Sequence, residues 1–311
     1  MKFERTHSIL NIKSKKELSE YAEKIIREQG SVDKLNVDKS RLSGFIRKIG
    51  AGYLNNPYHN YQHAVDTLYF MAWMLSLPSF KKNLPDFHKY ILLLAALCHD
   101  VGHPGHDNQW EVKTHSTLAQ RYKNNSVIEN HSLTITRELL AQSKYDVLPD
   151  IKEYSREDAF DLLDQLILCT DFSWHKVFLD ELMEGLARNN GSYSDPNYLS
   201  LIARTLIKSA DISNTSKPFE QARAWGERVM DEFWAQGEME KKLKLPVGPL
   251  NDPENTEFNS TQAGFIKFAA LDLFELLAKV ESKAQVLVKE LGVNQQEYEQ
   301  AAAAVSASLK Q

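Results

Sequence analysis

The chain has only two cysteines among its 311 residues, Cys98 and Cys169. Two thiols cannot build a disulfide framework. Both stand in apolar runs, so they read as buried free thiols of a reducing, cytoplasmic setting. No apolar run approaches the roughly 18–20 residues of a membrane span. The first sixteen residues are too charged for a signal peptide. Basic excess is also missing: 37 Lys and Arg against 42 Asp and Glu leave a net charge of −5, which argues against a general nucleic-acid binder. A small anionic ligand stays admissible, because a local metal charge outweighs a modest net charge. Alternating strand patterns are absent, and no Pro/Gly/Ser linker divides the chain.

What the chain does have is helical periodicity nearly throughout. Leu18, Tyr21, Ala22, Ile25 and Ile26 follow a three-four spacing, as do Leu42, Phe45, Ile46 and Ile49. Val65, Leu68, Tyr69, Ala72 and Trp73 repeat it, as do Leu162, Leu166, Ile167 and Cys169. Leu201, Ala203, Leu206 and Ile207 form a further set, and Phe265, Phe268, Ala269, Leu273, Leu276 and Leu277 the last. Turn chemistry marks breaks at Asn55-Asn56-Pro57, Pro78 to Pro85, Asn189-Asn190-Gly191 and Ser194-Asp195-Pro196. Leu245 to Thr261 reads as one long loop, of the kind that often serves as a lid. Ala301 to Ala307 fits a terminal helix. A single all-α domain is expected, with residues 1–40 as a helical lead-in packed on a domain over 41–311.

Chemistry concentrates in three separated segments. Cys98-His99-Asp100-Val101-Gly102-His103-Pro104-Gly105-His106 follows the apolar run Ile91 to Leu97. An adjacent His and Asp at the end of a buried helix suit metal-assisted phosphoester hydrolysis, since both grip one ion and the carboxylate has a second oxygen to spare. Tyr58-His59-Asn60-Tyr61-Gln62-His63 supplies two imidazoles at a four-residue spacing, which on a helix share one face. Lys208-Ser209-Ala210-Asp211-Ile212-Ser213-Asn214 supplies another carboxylate. Alone, each is weak: a His pair is more often decoration, and an Asp more often a cap. Their joint occurrence, with His59, His63, His99, His103 and His106 making five of the ten histidines, shifts the balance.

These segments resemble the class I 3′,5′-cyclic nucleotide phosphodiesterases, a branch of the metal-dependent HD hydrolases. The resemblance runs from about Leu42 to about Lys279. Tyr58 to Asp66 resembles the first signature and His99 to Gly105 the second. Ser126-Val127-Ile128-Glu129-Asn130-His131 resembles the third. Thr170 to His175, Ala210 to Asn214 and Gln262 to Ile266 follow in the family's order. The resemblance implies a multi-helix HD-type catalytic domain with a deep binuclear metal pocket, hydrolysing 3′,5′-cyclic nucleotides to 5′-monophosphates. By that resemblance His63, His99, Asp100 and Asp211 would hold a first ion, zinc. Asp100 would bridge to a second, magnesium or manganese, and a hydroxide shared between the ions would attack phosphorus. His59 would protonate the departing O3′, although a ligand or a structural role stays open for it. His103, Asn108, Glu129, His131, Thr170 and Asp171 would orient ligands and bound waters. Without the family match, Glu129 reads as a helix-surface carboxylate.

The same resemblance assigns a base pocket. Gln262 would hydrogen-bond the purine edge, its amide serving adenine or guanine by rotating. Phe265 and Val229 would close on the base from opposite sides, with Phe233 and Tyr58 lining the pocket. Periodicity alone would place Phe265, Val229 and Phe233 in the core. Asn214 resembles an asparagine of cyclic-AMP-preferring members, so cyclic AMP is favoured over cyclic GMP, or both are taken. Gly102 stands where the family often carries Asp, and His131-Ser132 where it often carries His-His. These departures spare every ligand position. About forty residues precede Arg41, too few for a regulatory module, so a stand-alone enzyme or an isolated catalytic domain is expected. Partners are a cyclic nucleotide, no nucleic acid and no membrane span; a homodimer is compatible. Two other readings remain: an HD hydrolase of another nucleotide or linear phosphoester, and a cyclic-nucleotide-binding scaffold without catalysis.

Overall fold

A long apolar run with no polar face forms a helix that is buried on every side. The residues Tyr90 to Cys98 are such a run, and all are buried. They lie in a computed structural model that describes residues 2–149, 151–188 and 191–308. Among these there is no β-strand, only one isolated bridge between Ile151 and Tyr154. The helices fall into two compact units, one of residues 1–55 and 59–211 and the other of 56–58 and 212–311. The chain therefore divides after Asp211, whereas residues 40 and 41 lie together inside one helix.

The first unit holds α1 (Lys15–Gln29), α2 (Lys39–Gly52), α3 (Tyr61–Leu75), α4 (Pro78–Asn83), α5 (Asp86–Cys98), α6 (Asn108–Lys113), α7 (Thr117–Arg121), α8 (Val127–Leu140), α9 (Arg156–Leu168), α10 (His175–Arg188) and α11 (Pro196–Asp211). Helices α3 and α5 pack on each other and are covered by α1, α9 and α11. The chain before α1 is tied to α3: the Glu4 amide donates to the Tyr69 hydroxyl at 2.9 Å, and Gln62 Nε2 donates to the Ile12 carbonyl at 2.5 Å. Helix α1 starts where Ser14 Oγ accepts from the Glu17 amide, and it buries Leu18, Ala22, Ile25 and Ile26. That side-chain oxygen satisfies a donor the first turn would otherwise leave unpaired.

The second unit holds α12 (Phe219–Lys242), α13 (Phe258–Phe265), α14 (Leu271–Val280) and α15 (Gln285–Ser308). Helix α15 packs on α12, α13 and α14. Between α13 and α14 the chain continues as a π-helical turn, Ile266–Ala270, in which the Leu271 amide bonds the Ile266 carbonyl five residues back.

Three expectations are corrected. Pro78 to Pro85 is not a plain break: Pro78 occupies the first turn of α4, where its missing N–H costs nothing. The long loop ends at Glu257, because that carboxylate caps α13 by accepting from the Asn259 and Ser260 amides at 2.9 and 2.7 Å. Phe268 does not join the core. The wide π turn shifts the helical phase and leaves it 76% exposed. The expected turn residues Asn189 and Asn190 lie outside the described residues. Cys98 is buried and Cys169 half-buried, and both are free.

His88 on α5 is buried between the rings of Phe87 and Tyr154, and its Nδ1 has no partner among the described residues. Burial pushes its pKa down to about 4. The unfolded chain takes up that proton near pH 6.5. Between those values the unfolded state binds more protons, so stability should fall as pH drops from about 6.5 through 4, by up to about 3 kcal/mol. Urea unfolding across this window checks it. A His88→Leu variant should show a flatter acid limb, and an unchanged slope would refute the assignment.

Candidate metal centre and base-binding residues

Helix α5 ends at Cys98, and His99 and Asp100 follow at its C-terminus. Helix α11 ends on Asp211. Helix α3 presents His63 in its first turn, where Asn60 caps the helix by accepting from the Gln62 and His63 amides. That cap corrects one expectation. His59 precedes the helix, so His59 and His63 do not share a helical face. Their rings meet edge to face at 5.9 Å.

Four side chains from these three segments converge. His99 Nε2 lies 3.3 Å from His63 Nε2, 3.1 Å from Asp211 Oδ1 and 3.0 Å from Asp100 Oδ2. His63 Nε2 lies 3.1 Å from Asp211 Oδ1 and 3.5 Å from Asp100 Oδ2. His63 and His99 are almost completely buried. His99 Nδ1 faces the Ala96 carbonyl at 3.0 Å, and that carbonyl fixes the ring proton on Nδ1. Nε2 then offers a lone pair toward three other acceptors. Such a cluster demands positive charge. Burial works against protonation of His99, but the Asp100 and Asp211 carboxylates override it and hold the imidazole pKa well above its usual value. Burial likewise works against the charged carboxylates, but His99 holds both well below the usual range. Tetrahedral ligands at about 2.0–2.2 Å from an ion sit about 3.3–3.6 Å apart. The observed spacings of 3.0–3.5 Å come within about 0.3 Å of that range, and the mixed nitrogen and oxygen donors suit a divalent cation.

Of the remaining expected residues of the first unit, His59 and His103 lie beside the cluster, and Asn108, Glu129 and Asp171 lie in chain segments linked by hydrogen bonds. The His59 and His103 rings stack at 3.9 Å, 12° from parallel, and His103 Nδ1 accepts from the Gly105 amide. Asn108 bridges α6 and α8: its Oδ1 accepts from the Ile128 amide and its Nδ2 donates to Glu129 Oε2, both at 2.9 Å. It thereby caps α8, whose own flanking Ser126 is left-handed and makes no cap bond. Ser126 Oγ instead donates to Asp171 Oδ2 at 2.7 Å. Burial, then the nearby Asp171 charge, raises the Glu129 pKa to about 7. Thr170 Oγ1 donates to the Ile167 carbonyl at the end of α9. His131 is half-buried with an unpartnered Nδ1 among the described residues. The departure at Gly102 has a local reason. Its φ of +79° suits glycine, and a Cβ there would stand 2.4 Å from Ile135 Cδ1 and 3.1 Å from His131 Nε2.

In the second unit the Tyr58 hydroxyl donates to Asn214 Oδ1 at 3.3 Å, and Glu232 accepts from the Tyr58 amide at 2.9 Å. Gln262 on α13 lies against α12 at Gly226, where a Cβ would come within 2.8 Å of Gln262 Oε1. Its amide is nearly buried, yet no hydrogen bond holds it among the described residues. Val229, Phe233 and Phe265 are half-buried rather than core. Sequence reasoning missed Ser126, Glu232 and Gly226. For Gly226 a signal existed: a glycine inside a long helix usually marks a close approach.

Comparison with known proteins agrees with this geometry. The model of the 3′5′-cyclic nucleotide phosphodiesterase family matches residues 58–291. The high affinity cGMP-specific 3′,5′-cyclic phosphodiesterase 9A of Pan troglodytes is 29% identical over 282 residues, which cover 89% of this chain and 47% of that protein. The probable 3′,5′-cyclic-AMP phosphodiesterase pde-4 of Caenorhabditis elegans is 30% identical over 282 residues, covering 88% and 42%. The chain thus spans under half the length of these two relatives. The phosphodiesterase domain of the RhoPDE fusion protein from the choanoflagellate Salpingoeca rosetta superposes with a TM-score of 0.90 at 25% identity, covering 98% of this chain and 96% of that one. A match that takes in the His63, His99, Asp100 and Asp211 cluster, the Glu129 and Asp171 segments and Gln262 within one continuous stretch leaves a single conclusion: the chain belongs to the 3′5′-cyclic nucleotide phosphodiesterase family.

Proposed function

We propose that this protein hydrolyses 3′,5′-cyclic nucleotides to 5′-monophosphates. The observation that carries the reading is the buried convergence of His63, His99, Asp100 and Asp211 within 3.5 Å contacts, in a chain of this family. These four would hold zinc, with Asp100 reaching a second ion, magnesium or manganese. Bound there, the ions would supply Lewis-acid charge and an activated water for attack at phosphorus. His59 donates a proton to the departing O3′, its ring held by the stack on His103. Glu129, Asp171 and Asn108 keep their neighbours oriented through the bonds between α6, α8 and the end of α9, Thr170 holds the end of α9 through the Ile167 carbonyl, and His131 keeps an Nδ1, free among the described residues, for a bound water.

Base recognition falls to the second unit in this reading. The Gln262 amide keeps donors and acceptor for the purine edge, and the half-buried Phe265, Val229 and Phe233 supply apolar contact. Asn214 supports cyclic AMP as the favoured base, while the relatives are named for either nucleotide. The family match, over residues 58–291, extends across residues of both units, which supports one catalytic domain made of both. Two free thiols support a cytoplasmic setting, and no helix of the described residues is long and apolar enough to cross a membrane.

Hydrolysis of cyclic AMP and cyclic GMP side by side, with added magnesium or manganese, tests the reading. Turnover establishes it, and the ratio of the two kcat/KM values gives the preference. No turnover of either by zinc-loaded protein overturns it. Gln262→Ala should raise KM about tenfold or more with kcat largely kept, because it removes binding remote from the reacting bond. A collapse of kcat at saturating substrate would contradict that role.

A further inference from the structure

Lysine in a helix ordinarily reaches water, because burying its charge is costly unless something compensates. Lys208 on α11 is only 4% exposed. It stands three residues before Asp211, on the helix that carries this metal-cluster carboxylate. Its Nζ donates to the Cys169 carbonyl at 2.7 Å, and no carboxylate comes within ion-pair distance of it among the described residues. The ammonium faces the rings of Phe178 and Phe172 at 5.6 and 5.9 Å. Cys169 closes α9, so the ammonium sits at the negative end of that helix dipole, which stabilises a cation. The other charges packed around it are Arg204, paired with Glu181, and the more distant carboxylates Asp211, Asp171 and Glu129. Burial pushes its pKa down, and Cys169, then those three carboxylates, act against that.

What the bond joins explains its place. The carbonyl of Cys169 opens the turn Thr170-Asp171. Asp171 accepts from Ser126 at the head of α8, and α8 carries Glu129, which Asn108 holds from α6. A single buried cation therefore ties α11 to the first link of this chain. We propose that Lys208 is a positioning residue: through the Cys169 carbonyl it fixes the Thr170-Asp171 turn, and with it the Asp171 and Glu129 carboxylates, relative to the helix bearing Asp211. Phe172 and Phe178 serve it as a cation-accepting lining. The inference rests on the phosphodiesterase reading for its catalytic consequence, and on the geometry alone for the positioning.

The test compares Lys208→Met, which keeps length and burial but loses charge and donor, with Lys208→Gln and Lys208→Arg. Turnover of the better cyclic nucleotide, zinc content and amide hydrogen exchange of residues 169–174 are measured for each. Lys208→Met should lose about 10–100-fold in kcat, with KM within about threefold and zinc content unchanged. Its 169–174 amides should exchange faster. Lys208→Arg, which keeps charge and donor, should recover most of kcat, with Lys208→Gln in between. Wild-type kcat and exchange in Lys208→Met overturn the proposal. So does a parallel loss of kcat, KM and thermal stability that arginine does not relieve, since that marks a packing role. If Lys208→Met does not fold, the Gln and Arg pair decides, and equal kcat in the two overturns it. Absence of turnover in the wild type sinks the phosphodiesterase reading alone, and the exchange of 169–174 still reads the positioning.

Discussion

Replacing Asp100 with alanine should lower turnover of either cyclic nucleotide by about a thousandfold or more. Asp100 Oδ2 faces both ring nitrogens of the cluster, 3.0 Å from His99 and 3.5 Å from His63. Its removal leaves three donors where a tetrahedral ion takes four. It also deletes one of two buried negative charges that make the cluster attractive to a cation. Lewis-acid stabilisation of a phosphoryl transfer is worth several kcal/mol, and about 1.4 kcal/mol is tenfold in rate. Zinc measured on the purified variant should fall with the activity. Asp100→Asn, which keeps the volume, separates charge from packing and should be nearly as inactive. A variant with turnover within tenfold of the parent and full zinc would remove Asp100 from the centre.

His59→Ala should behave differently. Its ring is not among the four converging donors, so zinc content should stay near that of the parent. Turnover should drop by about 10²–10⁴-fold, the usual worth of a positioned proton donor. The departing O3′ is a poor leaving group without a proton, and the stack on His103 at 3.9 Å fixes the plane in which His59 offers one. An aryl phosphodiester that expels p-nitrophenolate needs no such proton, so on that substrate the variant should lose far less. Equal losses on both substrates would refute the acid role, and loss of zinc would make His59 a ligand.

Much of this was open to a reader of the sequence, and the reasons differ from place to place. The apolar stretch ending at Cys98 and the three-four spacings of α1, α2 and α11 are burial patterns, and burial is what those helices do. The metal quartet is another matter. His63 and His99 meet Asp211 across 148 and 112 residues of chain, and nothing local announces that. Only the ordered set of motifs did. Local readings failed where a side chain outcompeted periodicity. Asn60 captured the first-turn amides and left His59 outside the helix. Glu257 did the same for α13 and shortened the expected loop. Lys208 was invisible for a further reason: a lysine's burial depends on Phe172 and Phe178, which belong to other elements. Gly102 was legible as a departure but not as a necessity, since its φ and the neighbouring Ile135 exist only in the fold.

The π turn at Ile266–Ala270 amounts to an α-helix carrying one residue too many. One residue is about 100° of rotation. Leu273, Phe274, Leu276 and Leu277 on its C-terminal side are apolar core residues, whereas on its N-terminal side Phe265 is half-buried and Gln262 is a buried amide that no hydrogen bond holds among the described residues. The extra residue acts as a clutch between two shafts. It frees the orientation of the segment bearing Gln262 from the phase that core packing imposes on α14. Substitutions along α14 are then answerable to stability, and those at Gln262 and Phe265 to whatever the Gln262 amide must meet.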